Sequence, residues 1–232
     1  MNKEHGLKKL KEFRKYVKDF VKHNRSTVKE IHDLRTACRE LISLLSSKEE
    51  LYKKIKKVIK ASNSVRDIDV FFEAYLASLP KKYLKKLDMK SINKRTHKSR
   101  KKELNKLHKY LKSLDIQNTI LLEAKQDKSI VKPKEEPKLN QEELHKYRIY
   151  IKKLLYREKN SVPLNKNRVN ALSKIKDCLG SINDNYNGYE RLNNFEVKPK
   201  LLNRIANFTE AKNLKLFKKF QILNKKYVEG GL

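Results

Sequence analysis

The stretch Thr27-Val-Lys-Glu-Ile-His-Asp-Leu-Arg-Thr-Ala-Cys-Arg-Glu-Leu-Ile-Ser-Leu-Leu45 decides the fold class. Ile31, Leu34, Cys38, Leu41, Ile42 and Leu45 recur at three- and four-residue steps, the period of one face of an α-helix. Thr27, with Glu30 three residues on, has the capping-box pattern, so a helix is expected to open there. His32, Arg35 and Arg39 stand at i, i+3 and i+7 on the same helix, within about 60° of arc. They form a cationic ridge beside the apolar stripe rather than opposite it.

The same period extends in both directions. Upstream, Leu7, Leu10, Phe13, Val17 and Phe20 predict a first amphipathic helix, broken between Asn24 and Thr27. Downstream, a helix or helix pair is expected from Glu49 to Leu79, ending at Pro80, then a long basic helix from Ser91 to Leu114. Leu104, Leu107, Tyr110, Leu111 and Leu114 form the buried side of that basic helix, and a shorter helix is expected over Ile116 to Lys125. Residues 128–140, with Pro133 and Pro137 among charges, read as a linker. Beyond it, Glu142 to Glu158 is helical, with Leu144, Ile151, Leu154 and Leu155 on its apolar side. Pro163 suits the head of a helix running to about Leu192, and Pro199 precedes a last one from Leu201 to about Tyr227. Strand-like alternation is missing, and five Gly and five Pro are too few for a sandwich or barrel. The expectation is all-α, with residues 1–127 as a first helical bundle and 141–232 as a second.

Charge narrows the function. The 232 residues carry 58 Lys and Arg against 27 Asp and Glu, a net charge of +31. Lys contributes 46 of the basic residues and Arg 12, and the halves before and after residue 127 carry +18 and +13. Self-repulsion spread over both halves opposes compaction, so a polyanionic partner is expected: nucleic acid, anionic membrane or inorganic polyanion. No stretch approaches 18 consecutive apolar residues, and the charged start lacks a signal core, so neither a membrane span nor export is expected. Cys38 and Cys178 are far apart and read as buried thiols of a cytoplasmic protein.

Catalytic patterns are not found. Gly occurs only at 6, 180, 188, 230 and 231, so neither a P-loop nor a dinucleotide fingerprint can be written. HExxH, GxSxG and paired cysteines do not occur. Asp67 and Asp69 resemble a metal-binding pair, but on a helix they point about 200° apart. Catalytic residues, metals and cofactors are therefore not expected, and the enzymatic alternative is a phosphotransferase working through His32 or His145.

An internal repeat isolates the site. His32 superposes on His145 at an offset of 113, with Arg35 on Arg148, Arg39 on Lys152 and Leu41 on Leu154. Four residues further offset, Val58 falls on Ile175, Val65 on Ile182, Asp67 on Asp184 and Glu73 on Glu190. Two similar bundles related by a pseudo-twofold axis follow, with Tyr156 extending the second ridge by a turn. Two matching ridges brought together by that symmetry would line a shared positive cavity. Their cations suit phosphate oxygens: Arg as a planar fork, Lys as a compact charge, and His as a donor from both nitrogens once protonated.

Val28-Lys-Glu-Ile-His-Asp-Leu-Arg-Thr-Ala-Cys-Arg39 resembles the signature of CHAD domains, the conserved-histidine α-helical domains. Val65-Arg-Asp-Ile-Asp-Val70 resembles the family's next element, and Leu144-His-Lys-Tyr-Arg-Ile-Tyr-Ile-Lys-Lys-Leu-Leu-Tyr156 its second histidine helix. Leu179-Gly-Ser-Ile-Asn-Asp184 resembles its Leu-Gly-x-x-Asn-Asp turn. Two departures stand out: Glu40 where the family often has a basic residue, and Ser62-Asn63 for Leu-Gly. The resemblance implies two four-helix bundles around a basic central cavity that binds inorganic polyphosphate, and association with polyphosphate granules. The contacts expected are His32, Arg35, Arg39, Arg66, Arg100, His145, Arg148, Lys152, Lys153 and Tyr156, with Asp67 and Asp184 as supports. Non-specific RNA or DNA binding is the alternative.

Overall fold

A computed structural model describes residues 3–22, 26–45, 49–115, 136–161 and 163–228, and among these every regular element is helical. The order is α1 (Lys3–Lys22), α2 (Val28–Ile42), α3 (Glu50–Ala61), α4 (Asn63–Val70), a π-helical turn (Phe71–Leu76), α5 (Lys81–Leu84), α6 (Met89–Lys112), α7 (Gln141–Lys159), α8 (Lys166–Asn193) and α9 (Pro199–Val228). The all-α expectation holds. The helix expected over Ile116 to Lys125, and residues 128–135 of the linker, lie outside the described residues.

Helix ends follow local chemistry. Thr27 Oγ1 accepts from the Glu30 amide at 3.2 Å and Glu30 Oε2 accepts from the Thr27 amide at 2.6 Å, the reciprocal cap expected at α2. Pro163 does not head α8: Asn165 caps it by accepting from the Arg168 amide at 3.0 Å, because a side-chain oxygen satisfies an orphan donor that proline cannot reach. The short α5 after Pro80 was not foreseen.

Contacts divide the chain into two units, residues 1–69 with 95–129, and residues 70–94 with 130–232. The first unit buries Phe13, Phe20, Ile31, Leu34, Cys38, Leu41, Ile55, Leu107 and Leu111 in one core. Leu7, expected in that stripe, is 42% exposed at the start of α1.

The second unit has two cores. One joins Leu144, Ile151, Leu155, Leu172, Ile175, Leu179 and Phe220 of α7, α8 and α9. The other joins Phe71, Tyr75 and Leu76 to Leu79, Leu87, Ile92, Leu192, Leu201 and Ile205. That second cluster is why residues 70–94 group with the later part of the chain, whereas a cut at residue 127 assigned them to the earlier one. Of the expected linker, Leu139 packs on the α7–α8–α9 core and Glu136 Oε1 accepts from Asn224 Nδ2 at 2.9 Å, so residues 136–140 are tied down.

Candidate functional site

In the first unit the ridge of α2 lies against the junction of α3 and α4. Arg35 is only 6% exposed. Its Nη1 donates to the Ile59 carbonyl at 2.9 Å and to Ser62 Oγ at 2.6 Å. Ile59 sits in the last turn of α3, where carbonyls lack helical partners, so the guanidinium acts as a C-terminal cap supplied by another helix. Ser62, a departure from the family pattern, is the hydroxyl that receives Arg35. Burial pushes this guanidinium down to about 10; Arg39 adds repulsion, Asp67 and Cys38 act the other way, and Arg66 repels. It stays protonated at neutral pH, fixed in place by structure.

Arg39 and Arg66 differ. Both are half-buried, and neither side chain makes a hydrogen bond or ion pair among the described residues. Their effect on Arg35 places all three guanidiniums within electrostatic reach, with the exposed Asp67 as the attractive carboxylate of the group. His32 is exposed at the N-terminal end of the ridge. Glu40, the acidic departure, is taken up by Lys9 of α1 at 2.8 Å, which Glu12 also approaches at 2.9 Å. It therefore subtracts little from the ridge.

Arg100 does not join this group. Its Nε donates to Asp69 Oδ1 at 2.6 Å and its Nη2 to Asp69 Oδ2 at 3.3 Å and the Ser26 carbonyl at 3.1 Å. Asp69 is 2% exposed. A bidentate pair in that setting holds α6 to α4 and leaves Arg100 neutralised. In the sequence Asp69 stands out only as the partner of Asp67 in a pair that helix geometry sets on opposite sides. Asp67 is exposed and Asp69 buried, in keeping with their opposite directions.

In the second unit the corresponding ridge of α7 runs antiparallel along α8. Gln141 Nε2 donates to Asn187 Oδ1 at 3.3 Å, and His145 Nδ1 pairs with Asn183 Oδ1 at 3.2 Å. Arg148 lies over Gly180, whose hypothetical Cβ would meet Nη2 at 3.4 Å. Each step along α7 meets the matching step back along α8, so Gly180 is where the guanidinium reaches the helix surface. Lys152 and Tyr156 continue the ridge half-buried, while Lys153 is exposed and off it. Asp184, expected as a support, is half-buried and makes no hydrogen bond or ion pair among the described residues, because α8 presents Asn183 and Gly180 to the ridge instead.

One further cationic surface was not foreseen as a unit. Lys98, Lys101, Lys102, Asn105, Lys106 and Lys109 line a shallow concavity of about 390 Å³ on the solvent face of α6. No cluster of three metal-ligating side chains occurs among the described residues, and no described helix is long and apolar enough to cross a membrane.

The family model for the CHAD domain matches residues 7–138, more than half of the chain. The match contains His32, Arg35, Arg39, Arg66, Asp67 and Arg100, and ends before the α7 ridge. No curated protein and no solved structure matches the chain.

Proposed function

The chain belongs to the CHAD-domain family, and on that premise we propose that it binds inorganic polyphosphate, without transforming it, through the half-buried cations of α2, α4 and α7. The observation that carries this reading is the crowding of Arg39 and Arg66 around Arg35, with Asp67 the one carboxylate among the groups acting on Arg35. Like charges held together without matching carboxylates destabilise a fold unless an anion sits among them. A phosphate chain supplies that anion, presents no base to stack on, and asks only for donors along a track. Of the large apolar side chains exposed among the described residues, Tyr16 alone is aromatic, which leaves little for nucleobases to stack on. That binding brings the chain to polyphosphate granules in the cytoplasm is part of the same proposal.

The test is titration of the parent and of an Arg39→Gln/Arg66→Gln variant with polyphosphate of defined length at physiological salt. Each charge-assisted hydrogen bond is worth roughly 1.5–3 kcal/mol, discounted for partial exposure, so the variant should bind about 10- to 100-fold more weakly. Its dependence on log salt should also flatten, as cations that release counterions are lost. A parent that fails to bind, or a variant that binds like the parent, refutes the reading. Competition with duplex and single-stranded nucleic acid separates the alternative: preference for nucleic acid at equal phosphate concentration would favour it.

A further inference from the structure

Helix α8 has a second polar seam, on the side facing α9. Lys212 Nζ donates to Asn185 Oδ1 at 3.1 Å, and Asn185 Nδ2 donates to Asn213 Oδ1 at 2.7 Å. Asn213 is 1% exposed, and its Nδ2 is buried with no hydrogen-bond partner among the described residues. The chain of bonds therefore runs one way, from ammonium to amide to amide, and ends on a donor with nothing to receive it. Lys212 is half-buried and forms no ion pair among the described residues. Burial alone lowers its proton affinity, with no carboxylate acting in the other direction.

This arrangement has donors in excess. An ammonium carries three N–H groups and each amide two, against one carbonyl oxygen on each amide. Water could accept some of these bonds but would leave the half-buried charge unbalanced. In the first unit, buried Asp69 supplies both the acceptors and the charge for Arg100. The second unit offers Lys212 the neutral Asn185 instead. We propose that Lys212, Asn185 and Asn213 form a phosphate-binding subsite on the α8–α9 seam, distinct from the His145–Arg148–Lys152 ridge. Its ligand is a phosphate unit of a polyanion, whose oxygens accept from Lys212 and from the Asn213 amide once that side chain turns toward it. The subsite rests on the polyphosphate reading and adds a seam to it.

The position within its helix supports a role other than packing. Asn213 falls on the buried face of α9 with Ile205, Thr209, Phe217, Phe220 and Asn224, and half-buried Lys212 borders it. Thr209 and Asn224 on that face pair with the Tyr75 and Tyr147 hydroxyls, whereas the Lys212 ammonium meets only a neutral amide. A cation kept there for a ligand makes the unliganded fold less stable than it could be.

Lys212→Met and Lys212→Arg in the full chain test this, using pyrophosphate and polyphosphate of defined length as probes. Without ligand, the denaturant midpoint of Lys212→Met should equal or exceed that of the parent. Its affinity for polyphosphate should fall about tenfold, and Lys212→Arg should retain most of the parent affinity. A lower midpoint for Lys212→Met without ligand overturns the proposal, because Lys212 would then be structural. An affinity within about twofold of the parent also overturns it. If the parent itself binds neither probe, the polyphosphate reading fails; if the parent binds and Lys212→Met binds equally, only the subsite fails.

Discussion

Gly188→Ala should damage the second unit, although alanine is the better helix former. A Cβ built on Gly188 lies 2.2 Å from Cγ, 2.5 Å from Cβ and 2.6 Å from Cδ2 of Tyr75. Those atoms are the root of a buried side chain, stacked 6.1 Å from the Phe71 ring and holding Thr209 Oγ1 at 3.3 Å through its hydroxyl. They cannot swing aside as the tip of a lysine could, so the π turn and α8 must part by more than about 1 Å to restore contact distances near ~3.5 Å. Overpacking of this kind costs about 1–3 kcal/mol or somewhat more, against about 0.5–1 kcal/mol recovered from helix propensity. An approach of 2.2 Å falls in the upper part of that range, about 2–3 kcal/mol, so the net expectation is a loss of about 1–2.5 kcal/mol, or a melting temperature lower by roughly 2–10 °C for a chain of this size. Denaturant titration followed by circular dichroism reads it directly. Gly180→Ala is the control: its nearest neighbour is the far end of Arg148 at 3.4 Å, so it should be neutral or slightly stabilising. In a Tyr75→Ala background the penalty of Gly188→Ala should shrink without vanishing, because Cγ and Cδ2 are gone while the Cβ at 2.5 Å remains. Equal stability of Gly188→Ala and the parent, or an undiminished penalty once the Tyr75 ring is removed, would refute the close-approach argument.

Other perturbations have equally definite signs. Asp69→Asn should destabilise the first unit by about 2–4 kcal/mol, since the half-buried Arg100 would lose its countercharge; equilibrium unfolding of this variant against the parent measures it. Thr27→Ala should cost about 1 kcal/mol by removing one arm of the cap on α2, read as a small shift in denaturant midpoint at unchanged slope. Burial pushes the Cys38 thiol and the Tyr75 hydroxyl each up to about 12, the latter despite its bond to Thr209. Both groups are raised relative to the unfolded chain, so their contribution is complete below about pH 8.5 and is lost as pH climbs toward 12. Denaturant midpoints should therefore fall over that window, and less steeply for Cys38→Ala; a flat profile would contradict the burial of both groups.

Helices were readable because the information is local. The α2 stripe and its Thr27 cap, the α6 stripe through Leu107 and Leu111, and the end of α8 near Leu192 follow from neighbours within a few turns. The short α5, with four residues and no buried side chain, carried no such period. The ridges were legible as ridges, but the fate of each cation was not. Arg35 and Arg100 are both single arginines flanking apolar stripes, yet each is tied down by a group 24–31 residues away: a carbonyl and a hydroxyl for one, a carboxylate for the other. That pairing depends on the register between packed helices, which period alone does not specify. Asn183 opposite His145 and Gly180 beneath Arg148 depend on register in the same way. Lys212 did carry a local signal, a cation bordering a buried stripe, but it stands outside the repeated histidine ridges.

The cations of this chain divide by what offsets them, and that division says more than the total of +31. Lys9, Arg35 and Arg100 each meet an acceptor set within the fold, so removing them should harm stability first. Arg39, Arg66 and Lys212 are half-buried without a carboxylate partner among the described residues, so they disfavour the folded state until something anionic arrives. A ligand that binds only the folded chain stabilises it by about 2.7 kcal/mol at a hundredfold excess over its dissociation constant. Relief of repulsion is part of that binding energy, not an addition to it. The residues whose loss leaves the unliganded fold intact or firmer are therefore the ones to assign to the guest, and those whose loss weakens it belong to the frame that holds them.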